Sequence, residues 1–172
     1  MSTLINIIQK NDVLWVYALN RKFSCQVLDT IMKIITLLGT TTSSIIISLS
    51  LMLYNVHMGF VLVINLLISQ SIVHFIKRVV DRPRPYKTLD WAIAINPPKC
   101  KYSFPSGHSS TALTIALVMS SFFPVLKMPI LIMSLLIGIS RIYMGVHYPT
   151  DVSLGFVISY IVYELLVIIV IF

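Results

Sequence analysis

Three short stretches hold nearly all the reactive polar side chains of this 172-residue chain. The first is Lys77-Arg78-Val79-Val80-Asp81-Arg82-Pro83-Arg84-Pro85. The second is Phe104-Pro105-Ser106-Gly107-His108. The third is Ser140-Arg141 followed by His147 and Asp151. Each has an ordinary reading when taken alone. A basic helix end commonly snorkels at a membrane surface. A Pro-Ser-Gly run is an ordinary helix start, with Ser as the cap. A His and an Asp four residues apart share a helix face and can form a structural hydrogen bond. Pro149, between them, predicts that the helix starts there, leaving His147 in the preceding turn.

Together the three stretches suit phosphoryl transfer. Lysine and arginine cations and the free amides of a helix start can bind phosphoryl oxygens. One histidine can attack phosphorus while the other protonates the leaving oxygen. A carboxylate beside a histidine fixes its tautomer and stabilises the imidazolium. The sequence has no HExxH, no carboxylate cluster and no Walker loop, so neither a metal nor a nucleotide cofactor is expected.

Whether these stretches meet depends on the elements that carry them. Of all residues 57% are hydrophobic and 11% charged, against about 25% charged in a typical soluble domain. With a mean hydropathy of +0.91, the bilayer is expected to be part of the solvent. A spanning helix needs about 20 mostly apolar residues. The candidates run over Thr40 to Tyr54, Met58 to Phe75, Ser106 to Phe123, Lys127 to Tyr143 and Asp151 to Phe172. An alternative makes Ile31 to Leu53 one long tilted span through Gly39. The expected fold is therefore all-α, a polytopic transmembrane bundle of about five spans. In that topology the span from Ser106 crosses away and the span from Lys127 returns, so all three clusters lie on one membrane surface.

The whole chain reads as one integral-membrane domain. Residues 1–38 are expected to form interfacial amphipathic helices. Leu4, Ile7, Ile8, Val13, Leu14 and Tyr17 make one apolar set, and Leu28, Ile31, Ile34, Ile35 and Leu38 another. Residues 77–104 form the one long polar segment, with seven of the 13 basic residues. The N-terminus lacks a basic start followed by an apolar core, so delivery is expected to rest on the spans themselves. Cys25 and Cys100 read as free thiols. The net charge of +7 suits anionic lipid or a phosphorylated substrate. Nucleic acid is not an expected partner, because a membrane chain has no basic face to spare.

The motifs resemble those of the type 2 phosphatidic acid phosphatase (PAP2) superfamily, lipid phosphatases related to vanadium haloperoxidases and bacterial acid phosphatases. That family's K-x6-R-P is met by Lys77, Arg84 and Pro85. Its P-S-G-H is met by Pro105 to His108, and its S-R-x5-H-x3-D by Ser140, Arg141, His147 and Asp151. The resemblance covers Lys77 to Asp151 and, more loosely, the bundle. It implies that His147 is the nucleophile forming a phosphohistidine, that Asp151 orients it and that His108 protonates the leaving group. Lys77, Arg84, Arg141, Ser106 and the Gly107 amide would then hold the phosphoryl oxygens. Arg78 and Arg82 fall outside the pattern and read as surface charges, while His74 reads as a polar residue inside the bundle. Many membrane members have six spans, which leaves the N-terminal topology as the point of departure.

The implied function is a metal-independent lipid phosphatase or diphosphatase. Undecaprenyl diphosphate, phosphatidylglycerol phosphate, phosphatidic acid and lipid A phosphates are candidate substrates. Competing readings are a vanadate-dependent haloperoxidase, whose relatives are soluble, and a non-enzymatic lipid-binding or transporter-like protein, which degenerate motifs would favour. Two arguments on orientation disagree. With five spans, 12 of the 13 basic residues fall on the active-site side, which the positive-inside rule places in the cytoplasm. Similar bacterial phosphatases of the plasma membrane present this site to the extracytoplasmic face, and that placement is adopted as the expectation.

Overall fold

The helix boundaries follow from local chemistry. Thr40 accepts a hydrogen bond from the Ser43 amide and Asn55 one from the Met58 amide, so each caps the helix that follows it. Ser106 does the same for the Ser109 amide. Pro149 occupies the first position of the last helix, where a missing N–H loses nothing. The computed structural model describes residues 2–98 and 100–170; Lys99 of the polar segment and the expected end of the last span at Phe172 lie outside them.

In chain order the helices are α1 (Ser2–Tyr17), α2 (Gln26–Leu37), α3 (Thr41–Tyr54), α4 (Val56–Val80), the short α5 (Pro85–Thr88), α6 (Gly107–Phe122), α7 (Lys127–Tyr143) and α8 (Pro149–Val170). A π turn, Ala18–Lys22, follows α1, and a 3-10 turn, Pro124–Leu126, links α6 to α7. Among the described residues the only β pairing is an isolated bridge between Pro83 and Tyr102. The expected all-α bundle is thus observed.

Among the described residues three helices are long and apolar enough to cross a membrane: Val56–Val80, Pro124–Tyr143 and Pro149–Val167. Helices α2 and α3 together would make a fourth, bent by 48°. The tilted-span alternative through Gly39 is therefore not a straight rod, because the Thr40 cap starts a new helix there. The expected span over Ser106 to Phe123 is the 16-residue α6, packed against α4, α7 and α8 at the centre of the bundle.

Many small hydroxyl side chains sit inside the bundle and many large apolar ones cover its outside. Ser69, Ser109, Ser110, Thr114, Ser140 and Ser159 are buried, while Leu53, Leu67, Leu135 and Ile161 lie on the outside. A water-soluble bundle shows the reverse, and small hydroxyl residues between helices are the packing pattern of membrane proteins. The α6–α8 seam shows why: Ser110 and Ser159 hydrogen-bond at 2.8 Å. A Cβ on Gly155 would stand 2.6 Å from the Ser106 carbonyl oxygen.

The N-terminal elements, expected to be amphipathic, also place polar side chains inside and apolar ones outside. Helix α1 exposes Ile7, Ile8, Leu14 and Tyr17 and buries Asp12 and Val16, with Asn20 buried in the turn beyond. Helix α2 exposes Ile31, Ile34 and Leu38 and buries Thr36.

Candidate active site

The polar segment after α4 and the turn between α7 and α8 fold against each other at one end of the bundle. Asp81, in the left-handed conformation (φ 48°), terminates α4 just after the turn that carries Lys77. The chain then runs antiparallel to the segment before α6, with Ser103 N–H donating to the Arg82 carbonyl at 2.8 Å. Tyr86 N–H donates to the Gly145 carbonyl and Ile95 N–H to that of Met144. Gly145 is required there: its φ is +69°, and a Cβ would stand 2.5 Å from the Ile93 carbonyl. Ser106 N–H donates to the Asp151 carbonyl at 2.9 Å, joining the second and third motifs. All three clusters therefore share one surface, as the topology predicts.

His147 lies in the turn before α8, as Pro149 predicts, and is 2% exposed. Arg84 Nη1 is 3.3 Å from His147 Nε2 and donates to the Val146 carbonyl at 2.9 Å, while its Nε donates to Cys100 O at 2.9 Å. Arginine has no acceptor, so the contact requires the Nε2 lone pair, and the imidazole proton sits on Nδ1. On that side Asp151 Oδ2 is 3.4 Å away, close enough for an ion pair but without hydrogen-bond alignment, so Nδ1 has no partner. Burial pushes the imidazole well below the ordinary histidine range, and the cations Arg141, Arg84 and Lys77 push it further. A neutral imidazole whose Nε2 carries no proton can act as a nucleophile at neutral pH.

The other predicted residues lie at the same end of the bundle. Arg141, 3% exposed, donates from Nη1 to Thr36 Oγ1 at 2.7 Å, while its buried Nε has no partner. A buried guanidinium is suited to bind an anion's oxygens. Ser106 Oγ accepts from the Ser109 amide and hydroxyl, which leaves its own proton free to donate. Gly107 and His108 open α6, where backbone amides precede the helical ladder. His108 is half-buried and close enough to His147 for their charges to interact. Lys77 is likewise half-buried.

Two expectations need correcting. His74 is exposed, bonded to the Gln70 carbonyl of its own helix, and lines an open cleft between α3 and α4. Arg82 is not a loose surface charge, since it bridges Asp151 Oδ1 at 2.7 Å and Asp12 Oδ2 at 2.8 Å. Asp12, Asn20 and Thr36 from the N-terminal elements are further partners of this end of the bundle. Asn20 Nδ2 donates to the carbonyls of Tyr143 at 2.7 Å and Ile93 at 2.9 Å, and its Oδ1 accepts from the Ile93 amide at 2.7 Å. The expected free thiols Cys25 and Cys100 are both unpaired and exposed.

The comparisons with known proteins agree with this arrangement. A family model described as PAP2 superfamily matches residues 58–171. The undecaprenyl-diphosphatase of Sulfolobus acidocaldarius is 31% identical over 59% of this chain and 50% of its own length. The chain spans about half the length of the curated relatives it matches. The crystal structure of Aquifex aeolicus LpxE superposes with a TM-score of 0.81 at 27% identity, covering 88% of this chain and 92% of that one. The transmembrane PAP2-type phosphatidylglycerolphosphate phosphatase of Bacillus subtilis gives 0.73 at 27% identity, covering 93% and 86%.

Proposed function

This chain belongs to the PAP2 superfamily, and from that premise we propose that it is a membrane phosphatase hydrolysing a lipid phosphomonoester or diphosphate through a phosphohistidine. The observation that carries the reading is the buried, neutral His147, its Nε2 held by Arg84 at the end of the bundle that also carries the buried Arg141. Arg84, Arg141, Lys77, the Ser106 hydroxyl and the first amides of α6 bind the phosphoryl oxygens. His147 Nε2 attacks phosphorus, the bond from phosphorus to the lipid oxygen breaks, and His108, protonated once the anionic phosphoryl group offsets the cations around it, gives its proton to that oxygen. His108, now neutral, takes a proton from water as the water attacks the phosphohistidine. Inorganic phosphate leaves and both histidines return to their starting states. Asp151 stabilises the positive charge that the His147 ring carries in the intermediate.

Undecaprenyl diphosphate and phosphatidylglycerol phosphate head the substrate classes, the names of the similar proteins pointing to them. The site is assigned to the extracytoplasmic face of a bacterial plasma membrane. The apolar outer faces of α1 and α2 lie in the interface beside it.

Purified protein in detergent, with EDTA present, should release phosphate from one or more of these lipids. Orthovanadate should inhibit, and His147→Ala should abolish both turnover and phosphoenzyme trapping. Full activity in His147→Ala would overturn the mechanism, and loss of activity in EDTA would overturn its metal independence. Phosphate-lipid binding without any turnover would mark a lipid-binding protein instead. Labelling of single cysteines at positions 87–98 by a membrane-impermeant reagent in intact cells tests the orientation.

A further inference from the structure

Arg82 lies outside the fixed positions of the motif, yet it is the most elaborately held side chain near the site. Nη1 donates to Asp151 Oδ1 and to Thr150 Oγ1, each at 2.7 Å, and Nη2 donates to Asp12 Oδ2 at 2.8 Å. Its guanidinium stacks 4.0 Å from the Tyr148 ring centroid. Asp12 reaches from α1, accepting in addition from the Thr150 amide at 3.0 Å and the Thr150 hydroxyl at 2.6 Å. The Asp12 and Asp151 side chains are 3% and 0% exposed.

From this geometry we infer that Arg82 and Asp12 are positioning residues of the phosphatase, holding the Asp151 carboxylate in the orientation that serves His147. The inference rests on His147 being the nucleophile. Asp151 has two oxygens with separate duties. Oδ2 accepts from the Tyr148 amide at 2.8 Å and faces His147 Nδ1, while Oδ1 is turned away toward Arg82. Fixing Oδ1 fixes the plane of the carboxylate and therefore the direction of Oδ2. Arg82 can do this because its planar fork spans two carboxylates at once, a task that the point charge of lysine does not reproduce. Asp12 immobilises the far side of the fork and, through Thr150, the first turn of α8 that carries Asp151. The N-terminal helix is thereby part of the catalytic framework, 70 residues from Arg82 and 138 from Thr150 in sequence.

Misplacing a catalytic group by about 1 Å can slow a reaction about 100-fold. The intermediate needs the aligned carboxylate more than substrate binding does, so the effect should fall on kcat. Arg82→Lys, Arg82→Ala and Asp12→Asn should each lower kcat about 10- to 100-fold while KM stays within about twofold. Combining Arg82→Lys with Asp12→Asn should add little to either alone, because both act through one carboxylate. Arg82 faces an open cleft of about 730 Å³ bounded by Ile8, Asp12, Thr150 and Leu154. Guanidinium ion can enter there, so millimolar guanidinium, against sodium chloride at equal ionic strength, should restore part of the activity of Arg82→Ala and none of His147→Ala.

Phosphate release from phosphatidylglycerol phosphate and undecaprenyl diphosphate in mixed micelles supplies the readout, with thermal unfolding of each variant alongside. Unchanged kcat in Arg82→Ala and Asp12→Asn would overturn the inference while leaving the His147 mechanism standing. So would a loss without guanidinium rescue that tracks a lowered melting temperature, which would make the cluster a staple for α1 alone. Activity in His147→Ala would instead remove the reading beneath it.

Discussion

Arg84 Nη1 donates toward His147 Nε2 across 3.3 Å, so the nitrogen proposed to attack phosphorus faces a positive charge held by the Val146 and Cys100 carbonyls. The contact does two things. It holds the imidazole in the tautomer with Nδ1–H toward Asp151, and it opposes protonation of Nε2.

A pH prediction follows with a definite sign. His147 is depressed well below the ordinary histidine value by burial and then by Arg141, Arg84 and Lys77. It is therefore neutral and competent at neutral pH, and becomes protonated and inactive only as pH falls through its lowered pKa. Removing the Arg84 charge relaxes that depression. The acid limb of kcat/KM in Arg84→Met should move to higher pH than in the wild type, on a much lower plateau. Using one substrate for both proteins cancels its own ionisation. A limb that stays in place would show that Arg84 does not act on His147.

Arg141 gives a second test through Thr36. The Thr36 hydroxyl is the partner of Arg141 Nη1, at 2.7 Å and with both groups buried. Thr36→Val keeps the shape and strands a charged donor, at a cost of about 1–3 kcal/mol. Stability should fall by that amount in detergent unfolding, and inhibition by orthovanadate should weaken, because the guanidinium loses its anchor. Arg141→Lys should weaken vanadate binding more than Thr36→Val does, since lysine cannot present the same fork. Equal vanadate affinity in all three proteins would place Arg141 outside the phosphate site.

The site was legible in the sequence where its chemistry is local. Ser106 to His108 is a helix start, and Pro149 marks where α8 begins, so spacing alone placed His147 in a turn and Asp151 one helical turn beyond it. The partners of those residues were not legible. Arg82 reads as one more basic residue at a helix exit because Asp12 lies 70 positions away. Helix α1 reads as amphipathic, but the partners of its polar residues lie far along the chain. A signal was present. Asp12, Val16 and Asn20 recur every four residues and are all buried, so one face carries a carboxylate and an amide that need partners. Span counting was limited in the same way, since α6 lies at the centre of the bundle with 16 residues.

Asn20 is the clearest case of that signal. Its amide closes three hydrogen bonds, two to Ile93 and one to the Tyr143 carbonyl, pinning the 89–95 segment against the end of α7. Asn20→Ala leaves those backbone groups unpaired and should destabilise the protein by about 2–4 kcal/mol. Limited proteolysis should then cut within residues 87–98 at protease levels the wild type resists. An unaltered cleavage pattern would mean that the segment is held without Asn20.

Gly155 tests whether the approach of α8 to α6 sets the phosphate site. A Cβ there would stand 2.6 Å from the Ser106 carbonyl oxygen and 3.3 Å from the Ser110 amide nitrogen. Both are backbone atoms, so no rotamer change relieves the clash, and the helices must part. Overpacking of this kind costs about 1–3 kcal/mol. The displaced turn is the one that bears Ser106, Gly107 and His108, and it is tied to the Asp151 backbone through the Ser106 amide at 2.9 Å. Gly155→Ala should therefore lower kcat by about 10-fold or more even where most of the protein stays folded. Ser159→Ala in the same seam loses the 2.8 Å bond to Ser110 but adds no bulk. It should lower the melting temperature and leave kcat near the wild-type value. If the two variants lose activity only in proportion to stability, the seam contributes packing alone, and the start of α6 is positioned by its own cap.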